Sequence, residues 1–371
     1  MYDVHFFKNS EALKKKIISS GPRPNRDEIY KQFESLRSQR PYVFNIETTN
    51  VCNMACHMCP RPTLMTRKLK HMEMELFEKI IHQITPHGEE SLKDFWNYIV
   101  DEYGVHSNDR NENAFYFYTV SRCVTLHGYG EPPLDPFLIE RIKLCRAHNI
   151  PTYFSCVPAN INVGKFVEMM KAGAGVIKFA MDALDDENSR KIRGDKNNFN
   201  EAYEKILQLL QAKAEDPSIK TTIVLTMIAL SESDEAKKTH RDFLEIWRDK
   251  DVFAYVKSQD NRWHHEEDLD LVNKSHYETQ YCEYPWTSTS IMVDGSVVPC
   301  TQDYNNEMVF GNANHQSLEE IWNNKAYDDF RKWHILGNFP SGHKCAERCD
   351  QKLLCDRASG LNQKNVKQLI A

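Results

Sequence analysis

Long apolar runs are missing from this chain. Its uninterrupted hydrophobic stretches are only a few residues long, whereas a membrane-crossing helix needs about 20. The opening residues, MYDVHFFKNSEALKKKIISS, are charged and polar and lack the apolar centre of a secretory signal. No internal repeat or low-complexity tract is visible, and no charge of one sign dominates. Lys and Arg number 47 against 53 Asp and Glu, a formal net charge of −6. Nothing in that balance directs the protein to nucleic acid or to a membrane surface. The expectation is a cytoplasmic protein with neither partner.

What is present is an ordinary globular composition, 41% hydrophobic and 27% charged, spread over 371 residues. That length exceeds what one compact core usually serves, so one large domain with a smaller one appended is expected. Eleven cysteines are the exception. Disulfides are disfavoured in a reducing compartment, where clustered cysteines more often mean metal or catalysis. Cys52, Cys56 and Cys59 form one group. Cys282, Cys300, Cys345, Cys349 and Cys355 form a second, and Cys123, Cys145 and Cys156 stand apart.

Residues 1–41 read as helices broken by GPRPN. YVFNIETT then alternates apolar and polar residues, the mark of a strand, and runs directly into the first cysteine group. From there strand-like and helix-like segments alternate, giving about six strands by residue 258. That rhythm predicts an α/β fold with a parallel sheet and right-handed crossovers, enough for an incomplete (β/α)6 barrel over residues 42–275. Residues 86–120 interrupt it, and are expected to be an insertion of a short helix and a polar loop. From about 276 to 371 short segments, turns and cysteines indicate the second domain. Within it VDG is a tight hairpin turn that should bring Cys282 and Cys300 together across a ribbon, and SLEEIWNN is a capped amphipathic helix.

The first group has the spacing Cys52-x3-Cys56-x2-Cys59, with no fourth cysteine nearby. Structural zinc sites usually close with a fourth protein ligand. Three thiolates fit a [4Fe–4S] cluster with one iron left open; three buried or zinc-bound cysteines are the plain alternative. With this motif after its first strand, the chain over residues 42–260 resembles the radical S-adenosylmethionine (SAM) enzymes. The resemblance implies a partial (β/α)6 barrel whose open iron binds the amino and carboxylate groups of SAM. It further implies reductive cleavage of SAM to a 5′-deoxyadenosyl radical that takes a hydrogen atom from substrate, with an electron donor such as flavodoxin or ferredoxin. The family usually has an aromatic residue before the third cysteine; Met58 stands there, a polarizable side chain that can also cover a flat ring.

By the same resemblance LHGYGEP (126–132) matches a GGEP-like SAM-binding segment through Gly128, Gly130, Glu131 and Pro132, with Tyr129 as an insertion-like variation. Ser155 and Asn160 in YFSCVPAN are the types placed near the SAM ribose and carboxylate. The family's Ser two residues before Asp182 is here Ala180. Arg193 in KIRG is a guanidinium for a carboxylate of SAM or of substrate, or else a helix-end salt bridge. Cys156 is either an inert buried thiol or a hydrogen-atom donor of the kind an epimerase needs. His264, His265 and Glu266 in NRWHHEEDLD lie in the loop after the last barrel strand, as substrate contacts or as solvated residues.

Residues 276–356 resemble the SPASM or twitch extension of these enzymes, which binds auxiliary [4Fe–4S] clusters. The full SPASM pattern has seven cysteines, and five are present here. One auxiliary cluster, on Cys282, Cys300, Cys345 and Cys349, is therefore expected, with Cys355 the rival for the last place and a structural zinc the alternative. The resemblance implies oxidation (dehydrogenation) or epimerisation of a small polar, sugar-like or natural-product substrate. Maturation of a ribosomally made peptide is the second reading, and a non-catalytic iron–sulfur or zinc protein the third. The helical character of residues 1–41 favours the small molecule, since peptide-modifying relatives often carry a leader-binding domain there.

Overall fold

A computed structural model describes residues 1–13, 25–231, 233–258 and 282–347. Cys349, Cys355 and the 261–270 loop with His264, His265 and Glu266 lie outside the described residues.

Among the described residues two short helices, α1 (Val4–Asn9) and α2 (Arg26–Leu36), precede the first strand, β1 (Val43–Ile46). Five strand–helix repeats follow. They comprise α3 (Met74–Ile81), α4 (Glu89–Tyr103), α5 (Glu112–Arg122), β2 (Val124–Thr125), α6 (Leu138–Ala147) and β3 (Thr152–Cys156). After them come α7 (Val163–Ala172), β4 (Val176–Ala180), α8 (Asp186–Arg193), α9 (Phe199–Glu215), β5 (Thr222–Ala229), α10 (Asp234–Trp247) and β6 (Phe253–Ser258). The six strands pair in parallel in the order β6-β5-β4-β3-β2-β1, the open parallel arrangement that the alternating sequence predicts.

Period-2 alternation separates the two faces of this sheet. Phe154, Ile177, Phe179, Ile223 and Leu225 point into the main apolar core, which Phe166, Phe243 and Trp247 of the outer helices complete. The alternate positions Asn45, Thr125, Tyr153, Ser155, Lys178, Thr226, Tyr255 and Lys257 line the inner cavities.

The C-terminal segment does not stand apart from the barrel sheet. After α11 (Tyr284–Thr287), β7 (Thr289–Ile291) pairs in parallel with β1, and β8 (Ser296–Val298) and β9 (Gly311–Asn312) continue the sheet in antiparallel fashion to nine strands. The edge that a closed barrel would give to its last strand is thus covered by the cysteine-rich segment. The turn of the β7–β8 hairpin is the predicted one, with the Gly295 amide donating to Met292 O at 2.9 Å and the Met292 amide to Ser296 O at 2.8 Å. Helix α12 (Leu318–Trp322) carries the full capping box between Ser317 and Glu320. It is followed by α13 (Lys325–Leu336) and α14 (Lys344–Glu347).

The insertion departs from expectation. It contains two helices rather than one helix and a polar loop. Asn111 accepts from the Ala114 amide at 2.9 Å, an N-cap that starts α5. Thr119 and Ser121 donate back to Phe115 O and Phe117 O, at 3.0 and 2.7 Å. The aromatic run 115–118 is therefore helical although its residues favour strands. Packing decides the outcome: Phe115 enters the barrel lumen and meets Tyr153 and Tyr255, each at 5.4 Å between ring centroids. No described helix is long and apolar enough to cross a membrane.

Candidate active site

The cysteine loop begins where β1 ends and is folded back by Asn50, whose side-chain amide donates to Lys68 O (2.9 Å) and accepts from the Lys70 amide (2.7 Å). That closure places Cys52, Cys56 and Cys59 around one cleft of about 200 Å³, with Met58, Gly128, Gly130, Glu131, Ser155, Cys156 and Arg193 also in its wall. The three thiols are part-buried. Burial pushes the Cys52 thiol up to about 11, and raises Cys56 against the lowering pull of Arg193.

Gly128 and Gly130 serve the close approach of two chain segments. A Cβ on Gly130 would lie 2.1 Å from Thr49 O, and one on Gly128 would lie 2.6 Å from Glu47 Cγ. The β2 loop can therefore lie flat on the extension of β1, where the Glu131 amide donates to Val51 O at 2.9 Å. Burial raises the Glu131 carboxyl to about 7, and its Oε1 accepts from the Val157 amide at 2.8 Å.

Arg193 lines the cleft and is held there by a side-chain ion pair. It pairs with Asp182 at the tip of β4, its Nε donating to Oδ2 at 2.6 Å, and Nη1 points at Cys56 Sγ at 3.5 Å. Asp182 sits in the left-handed region, φ 55°, a conformation that Asp tolerates better than most residues. Its other oxygen is held by the Ile228 amide at 2.8 Å. Asn160 likewise turns to the cysteine loop: its amide and that of Asn53 exchange hydrogen bonds of 2.9 and 3.0 Å. Cys156 is 3% exposed; its thiol lies well above the ordinary range because burial and then the Glu131 charge oppose ionisation.

Adjoining this cleft is a second, half-open chamber of about 170 Å³. The two share His127, Gly128, Tyr129, Lys178 and Lys257. Phe115, Tyr116 and Thr119 of α5 contribute to its walls, as do Tyr284, Thr301 and Gln302 of the C-terminal segment. Sequence reasoning missed the two lysines and His127. The available signal was a lysine inside each of two otherwise apolar strands, VIKFA and FAYVKS. Tyr129 was also underestimated: its hydroxyl donates to Thr301 O at 2.8 Å, joining the β2 loop to the second domain.

Cys282, Cys300 and Cys345 are 9%, 7% and 5% exposed. Cys345 lies among Tyr129, Tyr304 and Phe330, and Cys282 beside Tyr284. The predicted juxtaposition of Cys282 and Cys300 across the ribbon is not made by a strand pair, because Cys282 precedes α11 rather than lying in the hairpin. Among the described residues no three Cys, His, Asp or Glu side chains gather closely enough for a single metal ion. The donor set in the cleft, three thiols on one loop with the buried Cys156 in the wall behind them, fits a multi-iron cluster held by the loop cysteines that leaves one iron for SAM. The buried, thiol-only set in the C-terminal segment fits a second, auxiliary [4Fe–4S] cluster.

Comparison with known proteins agrees. The model of the SPASM family, an iron–sulfur cluster-binding domain, matches residues 282–350. The S-adenosyl-L-methionine-dependent 2-deoxy-scyllo-inosamine dehydrogenase of Niallia circulans is 34% identical over 64 residues, 17% of this chain. That match spans 26% of the dehydrogenase's length. Among solved structures, Streptococcus suis SuiB bound to its precursor peptide SuiA superposes with a TM-score of 0.52 at 13% identity, over 92% of this chain and 81% of that one. AnSMEcpe with bound AdoMet gives 0.52 at 13% identity, over 86% and 87%. The cysteine triplet after β1 and the open parallel barrel thus stand in a fold shared with SuiB and anSMEcpe, and residues 282–350 match a SPASM-type iron–sulfur cluster-binding domain.

Proposed function

We propose that this chain is a radical SAM oxidoreductase that dehydrogenates a small polar substrate held in the second chamber. The observation that carries the reading is that the Cys52–Cys56–Cys59 cleft and the chamber share a wall, so a cofactor in one would meet a molecule in the other. When bound, the open-iron cluster and SAM supply a deoxyadenosyl radical for hydrogen-atom abstraction, and the auxiliary cluster takes up the second electron. Cys52, Cys56 and Cys59 would hold the first cluster; Cys282, Cys300 and Cys345, with Cys349, would hold the second. Gly128, Gly130 and Glu131 form the wall against which the SAM amino group would rest, and Met58 and Ser155 the surfaces for its adenine and ribose. Asp182 keeps Arg193 turned towards the cluster thiolate of Cys56. Asn160 acts through Asn53 to fix the cysteine loop.

The 2-deoxy-scyllo-inosamine relative supports a small hydroxylated substrate. Reduction would come from an external donor of the flavodoxin or ferredoxin type. The reconstituted, reduced protein should convert SAM to 5′-deoxyadenosine, and the triple Cys52→Ala, Cys56→Ala, Cys59→Ala variant should not. A triple variant that still makes 5′-deoxyadenosine would overturn the assignment.

A further inference from the structure

Two side chains that border the second chamber are buried without a partner. Thr125 of β2 and Gln302 of the C-terminal segment both line it, and each is 2% exposed. Among the described residues Thr125 Oγ1 and Gln302 Oε1 have no hydrogen-bond partner. Folded proteins pair nearly all of their buried polar groups, because an orphan keeps its full desolvation penalty. Two orphans on one cavity wall therefore point to a guest that brings the missing partners.

The chemistry of the pair narrows that guest. The Thr125 hydroxyl both donates and accepts, and the Gln302 amide accepts at its oxygen and donates at its nitrogen. A hydroxyl group on the guest satisfies either one, since it too can accept and donate. The two residues come from different parts of the fold. Thr125 stands opposite Asn45 in the parallel β1–β2 pair. Gln302 lies two positions beyond Cys300, and its backbone amide donates to Cys300 Sγ at 3.4 Å. Its carbonyl and that of Thr301 accept from the Tyr129 hydroxyl, at 3.3 and 2.8 Å. The backbone that carries Gln302 is thus fixed to the β2 loop, while the side-chain oxygen is left unpaired.

Resting on the radical SAM reading above, we propose that Thr125 and Gln302 are specificity-determining residues that receive hydroxyl groups of a compact polyol substrate. Through Gln302 the C-terminal segment takes part in choosing that substrate, one end of which lies beside the Cys300 loop.

Calorimetry on the cluster-loaded protein with SAM present can compare the ring polyols myo-inositol, scyllo-inositol and glucose with cyclohexanol. The parent should bind at least one polyol about tenfold or more tightly than cyclohexanol, because a site built for hydroxyl groups is left unsatisfied by a guest that lacks them. Thr125→Val and Gln302→Met delete the polar atoms at nearly constant shape. Each should weaken that preference and the double variant should abolish it, with iron content establishing that the clusters are retained. Without any polyol, the variants should melt at or above the temperature of the parent, since each change removes a buried orphan. A purely structural role predicts the reverse. A parent with no preference for a polyol, a double variant that keeps the preference, or variants that melt below the parent would overturn the proposal. The radical SAM reading fails separately, if the reduced parent makes no 5′-deoxyadenosine, whichever ring it binds.

Discussion

Glu47 and Arg67 form a buried ion pair in which the guanidinium donates to both carboxylate oxygens, at 2.6 and 2.8 Å. Their side chains are 0% and 8% exposed. The same carboxylate accepts from the Tyr129 amide at 3.0 Å and the Val293 amide at 3.2 Å, and Arg67 Nε donates to Tyr304 O at 2.7 Å. One pair therefore ties together the end of β1, the chain beyond the cysteine loop, the β2 loop and the C-terminal domain.

Glu47→Gln should lower stability by about 3–5 kcal/mol, since a buried guanidinium is left without its counter-charge. Thermal or denaturant unfolding of the protein reads this directly, and a loss under about 1 kcal/mol would show that the pair is not a structural tie. The Glu47→Gln, Arg67→Met double variant should be less damaged than the sum of its single changes, because the two residues act as one unit.

Iron content separates the two cysteine groups. The parent protein should hold about eight irons per chain, four for each [4Fe–4S] cluster. Cys282→Ala with Cys300→Ala should remove about half of them, keep some SAM cleavage and lose substrate conversion. A parent protein with about four irons and bound zinc would mean that the second group is a structural metal site.

Cys156 distinguishes dehydrogenation from epimerisation. Its thiol lines the cofactor cleft and is not part of the chamber wall, whereas a hydrogen donor must face the substrate from the side opposite the deoxyadenosyl carbon. Turnover in deuterated water should therefore give an oxidised product without carbon-bound deuterium, and Cys156→Ala should remain active. Solvent deuterium in the product that disappears in Cys156→Ala would reverse the conclusion.

His87 sets an acid limit. Its ring stacks on Tyr42 at 4.4 Å, and Nε2–H donates to Tyr2 O at 2.8 Å. Burial, the largest cause, lowers its pKa to about 4 from the model-compound value of 6.5. A depressed histidine favours the fold while neutral. Its contribution is complete above pH 6.5 and is lost as pH falls from 6.5 towards 4, by at most about 3 kcal/mol and less for a half-buried ring. His87→Gln should flatten the stability profile across that interval; an unchanged slope would assign the acid sensitivity to other groups.

Much of the cofactor chemistry was already legible in local patterns. Three cysteines within eight positions, strands alternating with a period of two, the VDG turn and the Ser317–Glu320 cap each depend on residues close in the chain, and local backbone geometry fixes their relation. What sits around the cysteines was decided by distant contacts. Val293 meets Glu47 across 246 positions and Asn160 meets Asn53 across 107, so neither pairing has a local signature. Tertiary packing also turned the strand-like aromatic run 115–118 into a helix and set Phe115 under Tyr153 and Tyr255. Whether Lys178 and Lys257 face one chamber depends on the stagger and curvature of three parallel strands, β4 to β6. The period of two gives each lysine a side of its own strand, and only the curved sheet makes those sides converge.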